Sequence, residues 1–540
     1  MSDRPRSSDL GIALLLWVAY AGVLGVTVPA VGYSASEVGY LQSTEAVGDW
    51  LGLLIAAPEQ ALHREMIEKA WASSETCFSA FKLLAAASRQ LLSNVPWASP
   101  GFAYRLPPMV WGAFGVALIH GWASRVLNRA AGLVAALTFA LIPVAFSQAH
   151  VAGSPLSIAV TGLLCCYCYV RSLERSGLGW VLATWGAFVL LLQVQPTGWL
   201  LVVAFVAHFL LLQGRTFWNQ LRRRRLLVPR AWLYVAVFSW PGLLASWPRL
   251  WFEPWQRLQS YLDSGVGAAP GNPWVITAGT VPGISLVLFL TGTVGSLLTL
   301  LHTWEHSEAP ESSSSILSSA SSSELLWLFA AIASYAMVEL NPRGAGSGPD
   351  AGGVNVWIGA YPYFALLAAR GFDGVCRSFA ENSSAEVVPP LIQRLGRLAV
   401  GVSVLAGPLV MCVHSYPFGQ AFYTPVVGGA PGAANLGLHR TGSSESLALL
   451  STYFNEHASA GQTIYLPRDI AAFERLREDG RVREDLQPTS AIGGSEYAPY
   501  TWAPKTSAAE YRIWFDYGTT TPAEVVAHDG VPIVWVYERR

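Results

Sequence analysis

The sequence predicts an all-α polytopic membrane domain followed by a small α/β domain. Of its 540 residues, 52% are hydrophobic and only 13% are charged, whereas a typical soluble domain is about 25% charged. Many apolar runs approach the roughly 20 residues that a helix needs to cross a bilayer. The pattern becomes polar and mixed only after Tyr416. These observations exclude a disordered chain and a soluble enzyme of ordinary composition.

We predict about eleven membrane-spanning helices. The first, 10–31, is too long for the core of a signal peptide and lacks a convincing cleavage site, so we interpret it as a retained anchor. The run 77–93 is amphipathic and carries Lys82 and Arg89, which predicts a helix on the membrane surface. The other spans are expected near 107–123, 130–148, 153–171, 177–193, 196–213, 231–247, 276–301, 324–340, 354–370 and 395–413.

The distribution of arginine predicts the orientation, because cytoplasmic loops of membrane proteins are enriched in basic residues. Alternate loops collect arginine, whereas the loop 33–106 is rich in acidic residues. The loops 33–106, 248–275 and 341–353 and the C-terminus are therefore expected on the outer side, and the N-terminus in the cytoplasm. The arginines of the inner side are Arg4, Arg6, Arg125, Arg129, Arg171, Arg175, Arg215, Arg222 to Arg225, Arg377, Arg394 and Arg397.

Two domains are predicted, a transmembrane domain over 1–415 and an outer soluble α/β domain over 416–540. In the second domain, the alternating runs at Thr463 and Val531 are typical of strands, and 443–459 and 468–476 are typical of helices. The net charge of −1 gives no indication of a nucleic-acid partner. The six cysteines show neither metal-ligand spacing nor a disulfide framework.

The outer loops contain the candidate functional residues. Glu37 follows the first span and could act as a base or hold a divalent metal, or it could simply occupy the first turn of a helix capped by Ser34 or Ser36. Arg105, before Pro107-Pro108, could bind phosphate or anchor at the interface. His150, near the outer end of the third span, is more typical of a structural role.

The loop 248–275 begins with a segment rich in aromatic residues that includes Arg249 and Glu253. This composition is typical of an interfacial aromatic belt. The same composition would suit a phosphate head group held by arginine above a lipid tail. The sequence leaves both interpretations open.

The order of these segments resembles the membrane glycosyltransferases of the GT-C fold, in the protein-mannosyltransferase-like and aminoarabinose-transferase-like branch. The first outer loop carries Ser36-Glu37-Val-Gly-Tyr40 and then Gly48-Asp49-Trp50, and Arg105 precedes the second span. Later segments also match, at Pro143–Pro155, Trp247–Tyr261, Gly352–Pro362 and Tyr416–Ala433. Two departures stand out, because Ser36 and Ser154 occupy positions where this family has acidic residues.

The resemblance implies transfer of a sugar from a polyprenyl-phosphate donor to a lipid-linked or cell-envelope acceptor, on the outer face of a bacterial inner membrane. It implies Glu37 as the catalytic base, and as the metal ligand if a divalent cation such as Mg²⁺ or Mn²⁺ takes part. A second hypothesis is a catalytically degenerate relative that binds lipid phosphate or a partner protein, and a third is a transporter. The substrate-binding residues implied are Ser36, Tyr40, Arg105, His150, Ser154, Arg249, Glu253, Arg257 and Asn355.

Overall fold

A computed structural model gives the architecture of the chain, which is mostly helical. It describes residues 7–71, 79–175, 177–223, 228–263, 272–305, 319–339, 354–382, 390–438, 440, 443–501 and 507–540.

The chain up to Ser246 contains twelve α-helices within the described residues. They are α1 Ser7–Thr27, α2 Ala35–Ala56, α3 Pro58–Ala61, α4 Arg64–Trp71, α5 Ser79–Leu92, α6 Pro100–Val126, α7 Arg129–Ala140, α8 Pro143–Gln148, α9 Pro155–Glu174, α10 Leu178–Val194, α11 Leu200–Arg222 and α12 Arg230–Ser246.

The remaining helices include long apolar segments up to Ser415 and short helices after it. They are α13 Pro254–Asp263, α14 Pro273–Thr280, α15 Gly283–Glu305, α16 Ser319–Glu339, α17 Tyr361–Asn382, α18 Pro390–Ser415, α19 Gly429–Asn435, α20 Ser443–His457, α21 Ile470–Glu478 and α22 Ser507–Tyr517.

Six helical segments among the described residues are long and apolar enough to cross a membrane. They are Ser8–Ala30, Pro100–Val126, Pro155–Glu174, Pro196–Gly214, Gly283–His302 and Arg394–Ser415, and the shorter apolar helices Arg129–Ala140 and Leu178–Val194 accompany them. The chain therefore contains a polytopic helical membrane region, and the count of about eleven spans stays a prediction.

Two of the predicted spans are interrupted. The run 130–148 divides into α7 and α8, and the run 276–301 contains the end of α14 before α15 begins. Pro143 and Pro282 stand at these breaks. Proline disfavours helical geometry in the residue before it and removes a backbone donor, which accounts for both interruptions.

The second predicted span begins earlier than the sequence suggested. Ser99 caps α6 by accepting a hydrogen bond from the backbone N–H of Phe102, and Pro100 occupies the first turn. Pro107 and Pro108 lie inside α6. Arg105 therefore belongs to the buried second turn of this helix and not to the loop before it, while its position at the outer edge of the span stays a prediction.

The amphipathic run 77–93 forms α5, which packs on α2 and α6. Its apolar face includes Phe81, Ala85 and Ala86, all buried. Lys82 is fully buried as well. The predicted amphipathic helix is present from Ser79, and its buried apolar residues contact protein, while its position on the membrane surface stays a prediction.

The C-terminal region carries a five-stranded mixed sheet, with strands in the order β2-β1-β3-β5-β4. β1 is parallel to β2 and β3, and β5 is antiparallel to β3 and β4. The strands predicted at Thr463 and Val531 are present. The strands are β1 Thr463–Tyr465, β2 Gln487–Thr489, β3 Tyr497–Thr501, β4 Glu524–His528 and β5 Val531–Glu538.

One hydrophobic core joins the helices of the first outer loop to this C-terminal region. Trp50 and Trp71 of the loop helices belong to the same buried cluster as Phe473 and Leu476 of α21 and Val536 of β5. A second, larger cluster lies within the membrane helices. The outer loop is therefore held between the membrane helices and the C-terminal sheet.

Candidate functional site

The candidate site begins at the first turn of α2. The Ser34 hydroxyl accepts a hydrogen bond from the backbone N–H of Glu37, at 3.1 Å, and so caps the helix. Ser36 is exposed, with its hydroxyl 3.1 Å from that of Ser34. Ser34 is thus the capping residue, and the Glu37 side chain remains available for another contact.

That contact is a fully buried ion pair between Glu37 and Arg105. Arg105 Nε donates to Glu37 Oε1 at 2.8 Å, and Arg105 Nη2 donates to Glu37 Oε2 at 2.6 Å. The exposed fractions of the two side chains are 0% for Glu37 and 2% for Arg105. Paired N–H donors in this geometry make a strong, directional carboxylate contact.

The backbone contacts of this pair connect four segments of the chain. Arg105 also donates to the carbonyl oxygens of Val31 and Gly32, at 3.1 and 2.6 Å. Glu37 Oε1 also accepts from the backbone N–H of Ala152, at 2.8 Å. The pair therefore holds together the end of the first span, α2, α6 and the loop before α9.

Both partners are saturated with contacts in this arrangement. Glu37 accepts three hydrogen bonds, all of them from Arg105 and Ala152. A carboxylate held by a guanidinium is neither a free base nor an open metal ligand. The residues around Glu37 therefore do not fit a divalent cation here, and the expected cation stays a prediction.

Tyr40 lies one turn further along α2, and Lys82 of α5 faces it. Tyr40 is three residues after Glu37, so the two side chains share a face of the helix. The Lys82 ammonium lies 5.7 Å from the centre of the Tyr40 ring. Gly153, with φ of +70°, lies so close that an added Cβ would meet the ring at 2.7 Å. A second buried cation thus faces the same side of α2 as Arg105.

His150 makes only internal contacts among the described residues. Its Nδ1 donates to the carbonyl oxygen of Phe146 at 2.9 Å, and its Nε2 lies 2.7 Å from the hydroxyl of Thr27. Burial and the nearby Arg105 lower the pKa of His150 to about 4, so the imidazole is neutral at pH 7. These contacts connect the first span to the loop before α9, which is a structural role for His150.

Ser154 stands at the start of α9, where the resemblance places an acidic residue. Its side chain is buried and caps no backbone N–H of the helix. Its hydroxyl has no hydrogen-bond partner within the part of the chain that the structure describes. Buried polar groups are usually paired, so this hydroxyl is available to a bound ligand.

The residues of the 248–275 loop form a separate group. Arg257 donates to Glu68 at 2.7 Å and to the carbonyl oxygen of Arg249 at 2.8 Å, and Arg64 bridges Glu253 and Glu68. This network connects the loop to α4, not to Glu37. Asn355 lies in a short 3-10 helix, Val354–Ala360, and its side chain is outside the described residues.

Two C-terminal residues that the sequence analysis missed, Asp479 and Arg481, bond to Tyr33 and Val31 beside the ion pair. Tyr33 packs its ring 4.2 Å from the Arg105 guanidinium and donates its hydroxyl to Asp479 at 2.5 Å. Burial keeps the pKa of Tyr33 well above its usual range, so the phenol remains a donor. Arg481 donates to the carbonyl oxygen of Val31 at 2.9 Å. The loop that carries both Asp479 and Arg481 comes directly after a short amphipathic helix, and nothing in its pattern signals these contacts.

Asp479→Ala should lower the free energy of unfolding by about 1.5–3 kcal/mol, the usual range for hydrogen bonds to charged groups. Asp479 accepts from Tyr33 and also from the backbone N–H of Gly101, in the first turn of α6, at 2.8 Å. Unfolding of the purified protein in detergent measures the change. The control Glu474→Ala removes a carboxylate of the preceding helix that pairs with Arg477 on the same helix. If Glu474→Ala lowered the free energy of unfolding as much as Asp479→Ala, the contacts of Asp479 would not be the cause.

Comparison with known proteins identifies one sequence family. Residues 85–242 match the family model of dolichyl-phosphate-mannose-protein mannosyltransferases, which confirms the predicted resemblance over this segment. The segment includes Arg105, His150 and Ser154. No curated protein sequence matches the chain.

Two solved structures are similar to this chain. They are ArnT from Cupriavidus metallidurans in the apo state and the same protein bound to undecaprenyl phosphate, with TM-scores of 0.45 and 0.42. In both comparisons the sequence identity is 14%, and 97% of each chain is covered.

Proposed function

We propose that the protein is a membrane glycosyltransferase that transfers a sugar from a polyprenyl-phosphate donor to a lipid-linked or cell-envelope acceptor. The match of residues 85–242 to the mannosyltransferase family carries this proposal. The chain also has the apolar helices that a membrane-embedded enzyme with a lipid substrate requires. The outer face of a bacterial inner membrane is the proposed location.

Buried cations support recognition of a lipid phosphate. Arg105 and Lys82 lie against one face of α2. Arg105 pairs there with Glu37, and Lys82 faces the ring of Tyr40. During transfer, the acceptor hydroxyl forms a bond to the anomeric carbon while the bond from that carbon to the phosphate oxygen breaks. The phosphate leaves with increased negative charge, and fixed cations stabilise such charge in a site from which water is excluded.

Donor binding would also release the base. A phosphate oxygen next to Arg105 competes with Glu37 for the guanidinium, because arginine binds phosphate and carboxylate with the same paired donors. Glu37 would then be free to accept the proton of the acceptor hydroxyl. In this scheme the ion pair is the resting state, and the donor converts a locked carboxylate into the general base.

A transfer assay in proteoliposomes tests the proposal. It offers a panel of labelled polyprenyl-phosphate sugars, together with total envelope lipids, to the wild-type protein. Label that moves from one donor to a lipid or envelope product supports the enzyme. No transfer from any donor would overturn the proposed activity.

Lys82→Met should weaken saturable binding of undecaprenyl phosphate at least tenfold, because a charge-assisted hydrogen bond contributes about 1.5–3 kcal/mol. Binding of labelled lipid phosphate is measured per amount of folded protein. The control Lys69→Met removes an exposed lysine of α4, in the same outer loop. Equal affinity in the two variants would exclude Lys82 from the phosphate site.

A second candidate function is a degenerate relative that binds lipid phosphate without catalysis. Ser36 and Ser154 favour it, because neither hydroxyl can replace a missing acid, and the carboxylate of Glu37 is engaged. Saturable binding of undecaprenyl phosphate without turnover of any donor would support this candidate over the enzyme.

A further inference from the structure

A group of metal-ligating side chains lies far along the chain from the Glu37 site, where the last long helix meets the C-terminal sheet. His414 lies in the last turn of α18, His528 is the last residue of β4, and Asp529 follows it in the turn to β5. One ligand atom from each of the three side chains lies within 4.8 Å of the others.

The local sequence builds this group through a tight hairpin. Asp529 and Gly530 connect β4 to β5, with φ angles of +50° and +75°. This two-residue turn with positive φ at both positions favours Asp-Gly. The turn therefore fixes Asp529 next to His528, whose ring stacks on Phe418 at a centroid distance of 4.9 Å.

The distances match those between ligands of one ion. His414 Nε2 lies 2.8 Å from Asp529 Oδ1, and His528 Nε2 lies 3.7 Å from Asp529 Oδ2. Zinc ligands about 2.0–2.2 Å from a tetrahedral ion lie about 3.3 Å from one another. The observed separations bracket this value.

His528 supplies the second, independent observation. Its side chain is 6% exposed, and its Nε2 has no hydrogen-bond partner in the described ranges of the chain. A simple ion pair between His414 and Asp529 accounts for those two residues but leaves this buried nitrogen unexplained. Buried polar atoms without a partner are rare and call for a ligand or other explanation.

We propose that His414, His528 and Asp529 bind a divalent transition metal, Zn²⁺ in the first instance, which connects α18 to the C-terminal sheet. Two imidazole nitrogens and one carboxylate oxygen suit zinc and its neighbours rather than Mg²⁺ or Ca²⁺, which prefer oxygen ligands. Three protein ligands leave a fourth position for water or a further ligand. The site is independent of the proposed glycosyl transfer.

Metal titration of the full-length protein in detergent, after treatment with a chelator, tests this site. Wild type should bind one equivalent of Zn²⁺ or Co²⁺, and Zn²⁺ should raise its unfolding temperature. The Co²⁺ complex should show d–d bands without the intense thiolate charge-transfer band that a cysteine site would give. Failure to bind either ion, or a spectrum of thiolate ligation, would overturn the proposal.

Variants at the exposed ligands identify the residues responsible. His414→Ala and Asp529→Asn should each weaken binding at least 100-fold and abolish the shift in unfolding temperature. Both residues are partly exposed, at 55% and 36%, and Asn tolerates positive φ, so both variants should fold. The control His457→Ala, an exposed histidine of α20, should bind like wild type. Binding that is unchanged in both ligand variants would also overturn the assignment.

Discussion

Glu37→Gln is expected to lower kcat for sugar transfer by about 10²–10⁴-fold, the usual contribution of a general base. The same change should leave binding of undecaprenyl phosphate at least as tight as in wild type. Glu37 competes with the donor phosphate for Arg105 in our proposal, so neutralising the carboxylate removes the competitor. Steady-state transfer assays measure the effect on kcat, and equilibrium binding of the labelled lipid measures the effect on affinity.

The unfolding of this variant provides a second readout. Removing the charge of Glu37 leaves the Arg105 guanidinium buried without its counter-charge, which should cost about 3–5 kcal/mol of stability. Undecaprenyl phosphate supplies a replacement anion, so it should raise the unfolding temperature more in Glu37→Gln than in wild type. Rates are therefore compared per amount of folded protein, at a temperature well below unfolding.

Glu253→Gln is the matched control for both measurements. Glu253 is also an outer-loop glutamate paired with an arginine, Arg64, but its side chain is 45% exposed. Exposed pairs contribute about 0–1 kcal/mol, so turnover and stability should stay close to wild type. If Glu37→Gln transferred sugar at the wild-type rate, Glu37 would not be the general base. Weaker lipid binding with unchanged kcat would instead make Glu37 a positioning residue for Arg105.

The apolar pattern of the sequence predicted most of the long helices. A helix must be apolar over about 20 residues to cross a bilayer, so the length of an apolar run predicts a span. The spans predicted at 153–171 and 177–193 correspond to α9 and α10 within a few residues. The interruptions near Pro143 and Pro282 were missed. One proline hardly changes the apolar character of a run of twenty residues, whereas it removes a backbone hydrogen bond on which the helix depends.

The residue types of the candidate site could be predicted, but their pairing could not. Glu37 and Arg105 are 68 positions apart, and no periodicity relates positions on different helices. The amphipathic run 77–93 was expected on the membrane surface because it carries Lys82 and Arg89, and its pattern gave no sign that Lys82 is buried. The contribution of Asp479 and Arg481 depends on how the C-terminal region packs against the outer loop, and local pattern does not encode such long-range contacts.

Gly292→Ala is expected to destabilise the membrane helices by about 1–3 kcal/mol, the usual range for overpacking a close contact. α15 and α17 cross at reciprocal glycines. A Cβ at Gly292 would lie 1.8 Å from the carbonyl oxygen of Leu367, and a Cβ at Gly371 would lie 2.1 Å from that of Leu288. Membrane helices associate closely through such small residues, and backbone atoms cannot rotate away from an added methyl group, so the helices must separate.

Gly295→Ala adds the same methyl group to α15 three residues later, where it meets only the guanidinium of Arg370 at 3.9 Å. This variant should be neutral or gain up to about 1 kcal/mol, because alanine is the better helix former. Unfolding of both variants in detergent isolates the contribution of the crossing from that of helix propensity. Equal stability of the two variants would mean that α15 and α17 are not in backbone contact, whereas a loss in Gly371→Ala equal to that in Gly292→Ala would establish the reciprocal contact from its other side.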